Sequence, residues 1–206
     1  MTTKTTETKS RSKASTTRAK SKTTRAKSTA DTLPANPFIF EVFSLLSKQR
    51  SNAKKVQILK KYEHPALKAL LIWNFDESVI SLLPTGDVPY ASAGEQTSLG
   101  GTVSDKIDTA VSVMEKENTN SLGASDQGKT SIRKEYKKFY NFIKGGNDSL
   151  TGVKRETMFI NLLEGLHPLE AELLILVKDK KLSDKYKITK EIVSQSYPDI
   201  VWGNRS

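Results

Sequence analysis

The first 30 residues cannot build a hydrophobic core, because no apolar residue larger than alanine occurs between Thr2 and Ala30. The same segment contains nine Lys or Arg residues against a single acidic residue, Glu7. A segment that buries no apolar surface cannot offset the entropy cost of ordering its backbone. We therefore predict that residues 1–35 form a disordered basic arm and that residues 36–206 form the folded domain.

The arm contains a short repeat, because the sequence TTRAKS occurs at residues 16–21 and again at residues 23–28. Evenly spaced cations between small polar residues are typical of segments that bind polyanions. A solubilising leader or an organellar transit peptide would have a similar composition, although a transit peptide would need an apolar face. We predict that the arm binds DNA through Arg11, Lys13, Arg18, Lys20, Lys22, Arg25 and Lys27.

The rest of the chain is close to neutral, with 24 basic and 22 acidic residues after Ala30, although the whole protein has a net charge of +10. The chain contains no cysteine, which excludes disulfides, thiol catalysis and thiolate metal sites. No apolar run approaches the roughly 18 residues of a membrane span, so no membrane partner is expected.

Apolar residues recur at helical spacing from Asn36 onward, which predicts an all-α, compact multi-helix domain. Asn36 is the expected N-cap of the first helix, with Pro37 at its first position. Ser51 is expected to cap a second helix whose outer face carries Lys54, Lys55, Lys60 and Lys61. His64 and Pro65 open a third helix, and residues 76–83 are expected to form a short fourth one.

The second half of the domain is predicted to be helical as well. We expect helices at residues 104–117, 131–144, 153–163 and 168–178, and a final helix capped by Thr189. Residues 179–187 are interpreted as a charged connector, and residues 90–102 and 117–128 as mobile loops. No segment shows the sustained alternation of a β-strand.

No residue pattern indicates catalysis. His64 and His167 each precede a proline at a predicted helix start, and two histidines without cysteine make a zinc site improbable. Glu164, Glu170 and Glu172 are explained by the dipole of a helix N-terminus better than by acid–base chemistry. The sequence GASDQGKT at residues 123–130 fits the P-loop pattern literally, but no hydrophobic strand precedes it. We expect no enzyme activity, no cofactor, no metal and no small-molecule substrate.

Two segments together, residues 38–76 and 157–201, resemble the N-terminal helical DNA-binding domain of T4-type ATP-dependent DNA ligases. The matching pieces are residues 47–55, 173–179 and 188–198 together with Ile200. The folded domain also resembles an uncharacterised protein family of T4-like cyanophages. The resemblance implies binding to the sugar-phosphate backbone of duplex DNA with little reading of sequence.

The chain departs from the ligases in two respects. It has no K-x-D-G signature for the adenylated lysine, and it ends at Ser206, so we do not expect it to seal DNA. The short glycine-containing loop of the ligases is replaced by LSDKYK at residues 182–187. We therefore expect a stand-alone, non-catalytic phage accessory protein, in the cytoplasm of an infected bacterium or packaged in the virion.

The candidate DNA-binding residues lie around two predicted helix N-termini, because unpaired backbone N–H groups and lysines both favour phosphate. Around the first are Lys48, Arg50, Ser51, Lys54 and Lys55; around the second are Lys180, Lys181, Lys185, Lys187, Thr189 and Lys190. Such contacts position a protein on DNA without specifying sequence. The alternative is a protein-interaction module that docks on a phage replication, transcription or virion protein.

Overall fold

The computed structural model of the protein describes residues 1–2, 33–88, 102–116 and 128–203. Contacts along the chain define a compact unit, Leu33–Ser206. The predicted all-α class is confirmed for the described part of this unit, which contains α-helices, one 3-10 helix and no named strand. The predicted basic arm residues, from Arg11 to Lys27, lie outside the described residues, as do most of the two predicted mobile loops.

The helices α1 to α4 span Ile39–Ser47, Asn52–Lys61, Pro65–Phe75 and Val103–Lys116. The start of α1 was predicted wrongly, because its N-cap is Phe38 instead of Asn36. The Glu41 carboxylate accepts the Phe38 backbone N–H at 2.8 Å, and Arg133 Nε donates to the Pro37 carbonyl at 2.6 Å. Because of these two hydrogen bonds, Pro37 and Phe38 lie outside α1, and the helix begins at Ile39.

The histidine–proline pairs begin helices as predicted. In both, the histidine is the N-cap and its Nδ1 accepts the N–H two residues later: His64 from Ala66 at 3.1 Å, and His167 from Leu169 at 3.2 Å. Each imidazole therefore satisfies one of the free N–H groups of a first helical turn.

The predicted fourth helix at residues 76–83 is wrong. The Asp76 carboxylate accepts the backbone N–H of Ser78 at 3.0 Å and its hydroxyl at 2.7 Å, which favours a turn over another helical turn. The chain then runs extended, and Ser81 forms an isolated antiparallel bridge with Ile143.

The predicted helix at residues 131–144 is replaced by a shorter mixed element. It begins as α5, Ile132–Glu135, continues as a 3-10 helix over Tyr136–Phe142, and ends where Ile143 enters the bridge. The helix was predicted to stop at Gly145, but it ends three residues earlier, and Gly145 lies in the turn that follows, with a φ of +77°.

The remaining helices are α6, Gly152–Gly165; α7, Pro168–Lys178; α8, Leu182–Tyr186; and α9, Lys190–Ser196. The charged connector predicted at residues 179–187 thus contains α8, because the buried side chains of Leu182 and Tyr186 anchor it in the core. Helix α7 is central and packs against α1, α3, α4, α6 and α8. Within the described residues, no helix has both the length and the apolar character needed to cross a bilayer.

Candidate nucleic-acid interface

The two predicted basic segments are neighbours in the fold, because α2 packs against α9. Tyr197 follows α9, and its hydroxyl donates to the carbonyl of Leu59 on α2 at 2.6 Å. Both residues are buried. The N-terminal and C-terminal parts of the folded unit are therefore packed against each other.

Lys55 joins the two segments from the inside. It was predicted on the outer face of α2, and this prediction is wrong, because Lys55 is only 6 % exposed. Its Nζ donates to the carbonyl of Lys187 at 2.5 Å, and Lys187 caps α8 in a left-handed conformation with a φ of 51°. A buried ammonium with a fixed backbone partner has a structural role, so we leave Lys55 out of the interface.

The outer face of α2 and the turn before it form a strongly basic surface. The side chains of Lys48, Arg50, Lys54, Lys60 and Lys61 are all exposed, and we call them the α2 basic surface. The Lys61 ammonium lies 4.9 Å from the centre of the Tyr62 ring, but its side chain stays exposed, whereas that of Lys190 is half-buried. No acidic residue occurs from Val42 to Tyr62. Glu63, which ends this run, is paired with Lys68 at 2.7 Å. The positive charge of the α2 basic surface is therefore not balanced by acids of the same helix.

The beginning of α2 is open to a ligand. Ser51 is its N-cap as predicted, but the Ser51 hydroxyl forms no capping bond and the first turn contains no acidic residue. Exposed N–H groups at the positive end of a ten-residue helix favour an anion.

The beginning of α9 differs, although Thr189 is its N-cap as predicted. The Thr189 side chain hydrogen-bonds to Glu191, and this bond lowers the pKa of that carboxyl. An acid of the same helix thus occupies the position that a phosphate would take.

Most of the second group of lysines is engaged within the protein. Lys180 Nζ donates to the carbonyl of Asp76 at 2.9 Å, Lys185 pairs with Glu172, and the Lys190 ammonium lies 5.1 Å from the centre of the Trp202 ring. The side chains of Lys181 and Lys187 are exposed. The two predicted groups are therefore unequal, and the first is the better candidate for DNA.

Glu170 and Glu172, the two acidic residues near the start of α7, have structural contacts. Glu170 is fully buried, and its two oxygens accept the backbone N–H groups of Ile39 and Ile132, the first residues of α1 and α5. Burial raises the pKa of Glu170, while these two bonds and the charge of Arg133 act in the opposite direction. Sequence reasoning attributed Glu170 to the dipole of its own helix, whereas the carboxylate caps two other helices.

The end of the P-loop-like sequence does not form a backbone cradle for phosphate. The N–H groups of Lys129 and Thr130 both donate to the carbonyl of Gly165, at 2.8 and 3.0 Å. Their donors are therefore satisfied within the protein. Residues 123–127 of the pattern lie outside the described residues.

Comparison with known proteins gives a family but no function. A family model described as "Family of unknown function (DUF6433)" matches residues 42–109 and 101–184, which together make up more than half of the chain. The chain belongs to the DUF6433 family. The DUF6433 match includes all of α2 and ends within α8, so both basic segments lie at least partly inside it. No curated protein and no solved structure matches the chain.

Proposed function

We propose that the protein is a non-catalytic accessory protein that binds the backbone of double-stranded DNA without sequence specificity. The proposal is supported above all by the α2 basic surface, which combines five exposed cations with a 21-residue stretch free of acids. The resemblance to the DNA-binding domain of T4-type ligases, and the phage origin that it implies, stay predictions.

The spacing of the cations fits a phosphate backbone. Lys54 and Lys61 are seven residues apart on α2, so their Cα atoms are separated by about 10 Å along the helix axis. Successive phosphates of one DNA strand rise by about 3.4 Å along the duplex, so this separation corresponds to about three phosphates. A helix laid along a strand would therefore bring both ammonium groups to phosphates at once.

The arm supplies a second source of charge in this proposal. Nine cations in residues 1–30 would release counterions from DNA, as the exposed lysines of α2 would. Deleting residues 1–30 should therefore flatten the dependence of log K on log salt by several units. A residual affinity that still depends on Lys54 and Lys61 is expected for the folded unit.

The test compares two triple variants of the full chain. Lys54→Gln with Lys60→Gln and Lys61→Gln removes three charges from the α2 basic surface. The control removes three exposed charges elsewhere, by Lys116→Gln, Lys137→Gln and Lys144→Gln. Binding to a fluorescent duplex is measured between about 50 and 200 mM salt, the range over which phosphate contacts weaken strongly.

The α2 variant should bind more weakly and lower the salt slope by about 2 to 3 units, because each phosphate contact contributes about 0.9. The loss should be equal for duplexes of different sequence. Equal weakening by the control would indicate diffuse charge attraction. Unchanged binding by both would leave the arm as the DNA contact and favour the protein-interaction alternative.

A further inference from the structure

A cavity of about 400 Å³ lies where the segment before α1 meets the segment that leads into α5. Its walls include Pro37 and Phe38 on one side and Lys129, Ser131, Arg133 and Lys134 on the other. The volume falls in the range of sites for small ligands, about 300 to 1,000 Å³. None of these residues belongs to the α2 basic surface.

The lining of this cavity is positively charged and contains no acidic residue. Lys129 and Lys134 are exposed, and neither forms an ion pair with another described residue. Arg133 is held in the wall by the bond from its Nε to the Pro37 carbonyl, which uses one of the five guanidinium donors. The acids whose charges act on Arg133 are Glu170 and Glu41, and neither lines the cavity. Lys129 and Lys134 therefore provide most of the free charge.

The apolar side of the cavity is rigid and aromatic. Phe38 is only partly buried, and its ring stacks on Phe40 with 5.7 Å between ring centres and 25° between planes. Phe40 stacks in turn on His167 at 4.8 Å and 15°. An aromatic ring that lines the same cavity as two ammonium groups is a combination that can bind a base and its phosphate.

We propose that this cavity binds one nucleotide unit, with its phosphate between Lys129 and Lys134 and its base against Phe38. Side chains would hold the phosphate, because the N–H groups of Lys129 and Thr130 are already bonded to Gly165. The same chemistry is offered by a free mononucleotide and by an unpaired phosphorylated end of a DNA strand. The inference does not depend on duplex binding by α2.

The test uses the full chain and four probes: AMP, adenosine, inorganic phosphate, and an oligonucleotide duplex with an unpaired end, with and without a 5′-phosphate. Binding of the small molecules is measured by isothermal titration calorimetry and that of the duplexes by competition. Lys129→Gln with Lys134→Gln removes the two free charges. The matched control, Lys137→Gln with Lys144→Gln, removes two exposed charges that do not line the cavity. Both variants retain the N-terminal arm.

If the ligand is a free mononucleotide, we expect saturable binding of AMP. If the ligand is the end of a DNA strand, we expect saturable binding of the duplex with a 5′-phosphorylated unpaired end. The cavity variant should lose at least about tenfold in affinity, since each lost charge-assisted contact costs about that factor. Phe38→Leu should weaken AMP about fivefold but leave inorganic phosphate unchanged, because only the base stacks on the ring. The control pair should change affinity by less than about twofold.

The proposal is overturned if neither AMP nor the phosphorylated end binds, or if the control pair weakens binding as much as the cavity pair. It is also overturned if Phe38→Leu weakens phosphate as much as AMP, since a change in fold would do that. The triple variant Lys54→Gln, Lys60→Gln and Lys61→Gln should keep its affinity for AMP. This result separates a failure of the cavity proposal from a failure of the duplex-binding proposal.

Discussion

The buried carboxylate of Glu170 on α7 accepts the backbone N–H of Ile39, the first residue of α1, at 3.0 Å across 131 residues of sequence. Its second oxygen accepts the N–H of Ile132 at 2.8 Å, so one side chain fixes the start of two helices. The residues just before these two helices, Phe38 and Ser131, line the cavity, so Glu170 holds together the two segments that form its walls.

Replacing Glu170 should destabilise the fold in a graded way. Glu170→Ala leaves two buried N–H groups without an acceptor and should cost about 2–5 kcal/mol. Glu170→Gln retains one acceptor oxygen and should cost less, about 1–3 kcal/mol. Urea unfolding followed by circular dichroism gives both values. Glu164→Gln, an exposed acid on α6, is the control and should be within about 0.5 kcal/mol of the wild type.

His64 should make the stability depend on pH near neutrality. Burial and the positive charge of Arg133 lower the pKa of His64 below its ordinary value of 6.5. The unfolded chain therefore binds the proton more tightly, so this contribution to stability is complete above about pH 6.5 and is lost as pH falls towards the folded pKa.

The measurement for His64 is the free energy of unfolding between about pH 5 and 8, for the wild type and for His64→Asn. Asparagine caps a helix without titrating in this range, so the variant should show a flatter profile. Burial raises the pKa of Glu170, so Glu170 contributes a dependence of stability on pH of the opposite sign. This contribution is present in both proteins and cancels when one stability profile is subtracted from the other. Parallel profiles would contradict the prediction.

Substitutions of the neighbouring residues Lys54 and Lys55 on α2 should affect different properties, DNA binding for Lys54 and stability for Lys55. Lys55→Met removes the bond to the Lys187 carbonyl and should lower the free energy of unfolding by about 1–2 kcal/mol. Lys54→Met, at an exposed position, should leave stability within about 0.5 kcal/mol and weaken DNA binding. Thermal unfolding and duplex binding on the same samples test the pair. A Lys54 variant as unstable as the Lys55 variant would show that α2 is packed differently.

Alanine substitutions at Gly86 and Gly128 should distinguish the effect of backbone strain on stability from that of steric overlap. Gly86 and Gly128 both have a φ near +85°, so alanine should cost about 1–2 kcal/mol of strain at either position. A Cβ at Gly128 would lie 2.5 Å from the backbone nitrogen of His167, whereas nothing lies within 4 Å of a Cβ at Gly86. Gly128→Ala should therefore be the more destabilising by at least about 1 kcal/mol in urea unfolding. Equal losses at the two positions would argue against the close approach.

Local signals in the sequence were sufficient to predict many of the helices. The histidine–proline pairs at His64 and His167 fixed two helix starts, because the imidazole and the N–H that it caps are two residues apart. Apolar spacing was sufficient for α4, α6 and α7. These signals depend on neighbours within one or two helical turns.

Contacts between distant residues explain what the sequence could not predict. Lys55 looked like any surface lysine, since its partner is 132 residues away. The α1 start depends on Arg133 and Glu170, and the 3-10 helix that follows α5 ends where Ile143 pairs with Ser81. The cavity likewise joins residues 36–38 to residues 128–134, and the sequence analysis assigned no binding role to Lys129, Arg133 or Lys134.

The pairing of α2 with α9 has a consequence for synthesis on the ribosome. The partner of Leu59 is Tyr197, which is made 138 residues later. At about 5–20 residues per second, α2 waits roughly 7 to 28 s for the segment that completes its packing. During this interval the part of α2 that packs on α9 is uncovered while its lysines are already exposed, so nascent chains would meet nucleic acid before the domain has closed.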